Sequence, residues 1–123
     1  MTILLLGSGG REHAIAWKLR QSPTVSRLVC APGNPGMSQL GQLLPVNPDD
    51  PAAVVELWRQ LDADLVVIGP EAPLAAGVSD ALRDAGARVF GPSQAAARLE
   101  WDKSFSKKFM QRHGIPSATS EAF

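Results

Sequence analysis

Cysteine, net charge and long apolar runs are what this chain of 123 residues has least of. A lone cysteine, Cys30, rules out an intrachain disulfide, and its neighbours Leu28, Val29 and Ala31 point to a buried thiol at a strand end, which favours a reducing compartment. Twelve basic and twelve acidic residues cancel, leaving no global field to hold nucleic acid or an anionic membrane, so any anion must be bound locally. The opening MTILLLGSGG has no basic segment before its short apolar run, and no stretch approaches membrane-spanning length; cytoplasm is the expected location. No His/Cys spacing suits a metal, no nucleophile is paired with a base, and the phosphate loop G-x-x-x-x-G-K-[ST] is missing.

What is present is the composition of one globular domain, 45% apolar and 20% charged, at a length that leaves no room for a second complete one. Charge is unevenly spread. Between Met1 and Pro48 stand Arg11, Lys18, Arg20 and Arg27 against Glu12 alone, a mild basic bias beside a Gly-rich loop that suits a small phosphorylated ligand better than a polymer.

Five short apolar runs alternate with helical patterns: Ile3–Leu6, Leu28–Ala31, a weaker Leu43–Val46, Leu65–Ile68 and Arg88–Phe90. The clear ones are continuously apolar, as expected of parallel strands covered on both faces. Between them helices are expected over Arg11–Gln21 with Ala14, Ile15, Trp17, Lys18 and Leu19 giving an apolar face, from Asp50-Pro51 with the acid as N-cap, and over Leu74–Ala85, where Gly77 costs about 1 kcal/mol and Gly86 ends the helix. Ser93 caps a fourth. A fifth, Lys103–Arg112, either continues it or follows a break, with Phe105 and Phe109 as core anchors. The order predicts an α/β, Rossmann-like, doubly wound parallel sheet, in which ligands bind beyond the carboxyl ends of the strands.

The loops at those ends carry the chemistry. Gly7-Ser8-Gly9-Gly10-Arg11 follows a strand and opens a helix, so its backbone N–H groups and the positive helix end face a common point, a phosphate site; the alternative is a tight βα turn and nothing more. Dinucleotide binding is disfavoured twice: the third glycine of G-x-G-x-x-G would fall on Glu12, and no acid between His13 and Pro48 is placed to hold an adenosine ribose. Arg11 opposes the helix dipole unless an anion or carboxylate is near. Glu12 favours the first helical turn, and His13 reads as a packed or partly exposed histidine. In Gly69-Pro70-Glu71-Ala72-Pro73-Leu74 a carboxylate on a stiffened loop suits ribose hydroxyls or an amine; the alternative is that Glu71 caps the following helix. Pro32-Gly33-Asn34-Pro35-Gly36 adds backbone donors and an amide. Lys103, Lys107, Lys108 and Arg112 form a basic helical surface whose plain reading is a solvated face, and Gly114–Thr119 looks like an inter-domain connection.

Five segments then carry a resemblance over essentially the whole chain: GSGGREHAIAWKL from Gly7, APGNPG from Ala31, VIGPEAPL from Val67, VFGPS from Val89, and RLE..K.F..KFM.RHGIPSA from Arg98. In this order and spacing they resemble the N-terminal part of the phosphoribosylamine–glycine ligase (glycinamide ribonucleotide synthetase) family of ATP-grasp enzymes. The resemblance implies a reaction in which ATP, glycine and 5-phosphoribosylamine give ADP, phosphate and glycinamide ribonucleotide through a glycyl phosphate. It implies that Gly9, Gly10 and Arg11 hold the phosphate and Glu71 the ribose or amine, with Gly7, Asn34, Gly36, Gly69, Pro70 and Leu74 as supporting loop residues. Lys103 is implied to reach the nucleotide, although Trp101-Asp102 stands where the family commonly has small residues. No catalytic residue and no metal ligand is expected in this stretch; ATP and Mg²⁺ belong to the whole enzyme. Residues 1–102 are expected to form the substrate-binding domain and 103–123 a connecting helix and linker to an ATP-grasp domain that the chain lacks, leaving it inactive alone. The other classes are the N-terminal domain of a different ATP-grasp ligase, against which REHA and GPEAPL speak, and a stand-alone phosphosugar-binding module.

Overall fold

Each continuous apolar run divides by parity between two cores. In the computed structural model, which describes residues 1–119, Leu4 and Leu6, Val29 and Ala31, and Val66 and Ile68 face one side of the sheet, while Ile3 and Leu5, Leu28 and Cys30, and Val67 face the other. Strand side chains alternate between faces, so a strand covered on both must be apolar at every position. Complete burial of a leucine or isoleucine side chain contributes about 1.5–3 kcal/mol, and four such side chains in a row, Ile3 to Leu6, make the first strand the centre of the molecule.

The strands are β1 (Thr2–Gly7), β2 (Arg27–Pro32), β3 (Gln42–Leu43), β4 (Leu65–Ile68) and β5 (Val89–Phe90), all parallel in the order β3-β2-β1-β4-β5. The helices are α1 (Gly10–Arg20), α2 (Pro51–Leu61), α3 (Glu71–Ala75), α4 (Val78–Asp84), α5 (Gln94–Trp101) and α6 (Lys103–Arg112), with a 3-10 turn at Pro35–Gln39. The α/β doubly wound sheet is as expected. From β1 the chain steps outward to β2 and β3, then β4 and β5 are laid down on the opposite side, so the order reverses between β1 and β4, where such sheets open a ligand crevice.

One face is covered by α2, α3, α4 and α5, whose Val54, Leu61, Leu74, Val78, Leu82 and Ala97 complete the larger core. The other carries α1 and the 3-10 turn through Ala16 and Met37, and beside α1 it retains an apolar groove of about 410 Å³ between Ile15, Leu19, Val67 and Phe90. Burial pushes the Cys30 thiol up to about 11, so it is a neutral core group.

Local signals set the helix ends. Asp50 accepts from the Ala52 and Ala53 amides at 3.0 and 3.1 Å with Pro51 in the first turn, and the Ser93 hydroxyl accepts from the Ala96 amide at 3.2 Å. Four expectations are corrected. The helix expected over Leu74–Ala85 is two: Gly77, at φ 86°, sits between α3 and α4 in a conformation that no helix interior adopts. The weak third strand shrinks to two residues, Leu44 and Val46 packing on the core from coil. Trp17 is 58% exposed and Ala14 and Lys18 are also exposed; the buried positions of α1 are Glu12 and Ala16, one turn apart. Phe105 and Phe109 are half-buried, with rings 6.5 Å apart, rather than core anchors.

Between α5 and α6 the chain breaks at Asp102, whose carboxylate accepts from the Phe105 amide at 2.9 Å and from Arg98 Nε at 3.0 Å. Residues 120–123, the end of the expected connector, lie outside the described residues.

Candidate functional site

The reversal between β1 and β4 brings together the two loops that the sequence singles out. Gly7 ends β1, Gly9 caps α1 and Gly10 is its first residue; across the crevice, Gly69 follows β4, Pro70 caps α3 and Glu71 is its first residue. Asn34 ties in the third loop, its Nδ2 donating to the Ser8 carbonyl at 2.9 Å, while the Gly33 amide donates to the Gly7 carbonyl at 3.1 Å. Gly36, in the 3-10 turn, lies against the ring of His13, which is half-buried there.

Arg11 spans the crevice. Its Nη1 donates to the Gly69 carbonyl and stands 3.8 Å from Glu71 Oε2, both side chains being more than half exposed. Such a pair contributes at most about 1 kcal/mol, so the contact orients the guanidinium more than it stabilises the fold. An arginine in the first turn opposes the helix dipole; the carboxylates of Glu12 and Glu71 offset it.

The sequence marks Glu12 as an acid suited to a first helical turn and as the residue in the third-glycine position, and the structure gives it more. It is 4% exposed, and its Oε2 accepts from the Gly9 amide at 2.8 Å, which is half of a capping box whose other half glycine has no side chain to make. Its side chain lies over both strand ends. A Cβ on Gly7 would come within 2.6 Å of Glu12 Cγ, and one on Gly69 would collide with Glu12 Oε1. The signal in the sequence was an acid standing where the third glycine of a dinucleotide loop would be, and its meaning needed the loop after β4, which is remote in sequence.

The Gly9 amide is already engaged by Glu12, so the loop donors without a protein acceptor among the described residues are the amides of Ser8, Gly10, Arg11 and Glu12, the last three as the first turn of a helix leaves them. Leu74 is 4% exposed and belongs to the core under α3, not to the loop. The helix expected to begin at Leu74 begins at Glu71, which therefore lies in its first turn and does not cap it. Lys103 opens α6, is exposed, and makes no side-chain hydrogen bond or ion pair among the described residues. The same residues hold no group of three His, Cys, Asp or Glu fit for a metal ion, and none of their helices is long and apolar enough to cross a membrane.

The family described as phosphoribosylglycinamide synthetase, N domain, matches residues 1–100. A phosphoribosylamine–glycine ligase of Caulobacter vibrioides is 52% identical over 123 residues, all of this chain and 29% of that protein. The trifunctional purine biosynthetic protein adenosine-3 of Gallus gallus is 50% identical over 123 residues, with 98% of this chain and 12% of that protein covered. Among solved structures, the phosphoribosylamine–glycine ligase of Thermotoga maritima superposes with a TM-score of 0.70 at 30% identity, over 97% of this chain and 26% of that one. A biotin carboxylase domain matches with a TM-score of 0.70 at 18% identity, a likeness of fold alone. The chain thus spans under a third of the length of the curated bacterial ligases that it matches.

Proposed function

Because the chain belongs to the phosphoribosylglycinamide synthetase N-domain family, we propose that it holds the phosphosugar for a ligase that joins glycine to 5-phosphoribosylamine at the expense of ATP. The observation that carries this reading is the pair of free amides at Gly10 and Arg11 beside the Arg11 guanidinium, at the switch point of the sheet. A helix N-terminus and a guanidinium together suit one phosphoryl group. Glu71 and the carbonyl of Gly69 face the same crevice and suit the hydroxyls or the amine of the sugar, with Asn34, Gly36 and Pro70 holding the loops. The role of this chain is then to bind and orient the sugar so that its amine is presented to an activated glycine.

Residues 1–102 form the substrate-binding unit in this reading and 103–123 the connector to the rest of the ligase, which supplies the ATP clamp and the ligands for Mg²⁺. Lys103, solvent-facing on α6, is the one residue of this chain proposed to reach the nucleotide. The cytoplasm, where purine precursors and reduced thiols are found together, is the proposed location.

Ribose 5-phosphate, which mimics the sugar without its labile amine, raises the thermal midpoint of the chain in this account, whereas NAD does not. At a hundredfold excess over its dissociation constant it adds about 2.7 kcal/mol of stability. Stabilisation by NAD alone overturns the assignment.

A further inference from the structure

Glu12 stands at the base of the crevice, and its placement is difficult to explain by helix stability alone. A first-turn acid supports a helix equally well from an exposed position, yet this one is 4% exposed and closes over glycines at the ends of two strands. Burying a carboxylate is costly unless hydrogen bonds compensate it, and the Gly9 amide provides one at 2.8 Å. The consequence for ligands follows from which donor is used. A diphosphate lying along a strand-to-helix loop needs consecutive free amides and room beside the second and third glycines. Here the Gly9 amide is engaged, the place of the third glycine is filled by the Glu12 side chain, and the charge of its carboxylate lies where a second phosphoryl group would come.

We propose that Glu12 is the specificity-determining and positioning residue of this crevice: it occupies the Gly9 amide and the space between Gly7 and Gly69, so that the loop accepts a phosphomonoester at Gly10 and Arg11 and rejects a diphosphate. This rests on the phosphosugar reading for the identity of the accepted ligand, but the rejection is a property of Glu12 itself. Gly69 is then a glycine because of Glu12, and only indirectly because of a ligand, whereas Gly7 needs glycine for its φ of 119° as well as for the room that Glu12 takes. The residue touches the loop amide rather than the reacting atoms and acts through the donors that it leaves free.

The test is an amide-resolved NMR titration of the 123-residue chain, as wild type, Glu12→Gln and Glu12→Ala, with ribose 5-phosphate and with ADP-ribose. In the wild type, ribose 5-phosphate shifts the Gly10 and Arg11 amides and leaves Gly9 unmoved, and ADP-ribose does not bind. Glu12→Ala frees the Gly9 amide and raises ADP-ribose affinity relative to ribose 5-phosphate by about tenfold or more. Glu12→Gln keeps an acceptor for the Gly9 amide and removes only charge, so its gain is smaller and its ribose 5-phosphate affinity stays within about threefold of wild type. Should Glu12→Ala lose its cooperative melt, the isosteric glutamine variant decides: an unchanged ligand ratio there overturns the proposal. It is equally overturned if ribose 5-phosphate moves the Gly9 amide of the wild type as far as that of Gly10, or if neither ligand binds any of the three proteins. If the wild type ignores ribose 5-phosphate while Glu12→Ala gains ADP-ribose at Gly9, the role of Glu12 stands and the phosphosugar reading falls.

Discussion

The crevice between β1 and β4 and the joint between α5 and α6 each set a carboxylate on a backbone amide at the start of a helix, but the two carboxylates live in different surroundings. Glu12 is buried, reaches its amide by folding back from the third residue of α1, and fills space between loops from distant parts of the chain. Asp102 is near the surface, caps α6 from the preceding position and pairs with Arg98 one turn earlier. The first is held by tertiary packing and fixes which donors a ligand meets. The second is held by neighbours in sequence and fixes only where one helix stops and the next begins. Chemically similar contacts therefore differ in what depends on them, and the difference can be measured.

The largest effect is expected from Gly69→Ala, whose methyl group has to displace Glu12. Overpacking of this kind costs about 1–3 kcal/mol in urea unfolding, and in a Glu12→Ala background the same change costs less, giving a coupling of about 1 kcal/mol between the two sites. Equal costs in both backgrounds would make the two loops independent and erase the contrast with Asp102.

Arg11→Ala comes next. It leaves the unfolding free energy within about 1 kcal/mol, since the pair with Glu71 is exposed, and weakens ribose 5-phosphate by about tenfold as a charge-assisted contact is lost. Isothermal titration and a melt of the same variant separate these outcomes; a lost cooperative transition with unchanged affinity would make Arg11 structural.

Smaller still is the acid response of the joint. The Phe105 amide, then Arg98, holds the Asp102 carboxyl below its ordinary value. A depressed carboxyl stabilises the fold at pH above the unfolded value, near 4, and that support fades as pH falls through the folded value. Amide protection in α6, taken relative to the intrinsic exchange rate at each pH, is therefore expected to fall in acid before protection in β1 does, and Asp102→Asn should flatten that dependence. The smallest effect belongs to Lys103→Ala, for which neither the melt nor ribose 5-phosphate binding of this chain changes; in the whole ligase its effect is expected in the KM for ATP.

Much of the fold was legible in the sequence because its signals are local. Continuous apolar runs gave the parallel strands, Asp50-Pro51 and Ser93 gave helix starts, and the Gly-rich loops fell at the carboxyl ends where the sheet order reverses. Gly77 was recognised as a poor helix residue, but whether a glycine weakens a helix or divides it depends on what α3 and α4 pack against. Trp17 and Phe105 were assigned to the core on helical spacing, yet spacing says nothing about whether a partner surface exists. Glu12 was the harder residue to read. Its sequence position marked the absence of a glycine, whereas its function depends on Gly69, which only the pairing of β1 with β4 brings beside it.

The most direct measurement is the electron density of a crystal of this chain soaked in ribose 5-phosphate. The account predicts the phosphoryl group within hydrogen-bonding distance of the Gly10 and Arg11 amides and of the Arg11 guanidinium, with the Gly9 amide still on Glu12. Sugar phosphate bound elsewhere, with those two amides left to solvent, would contradict it.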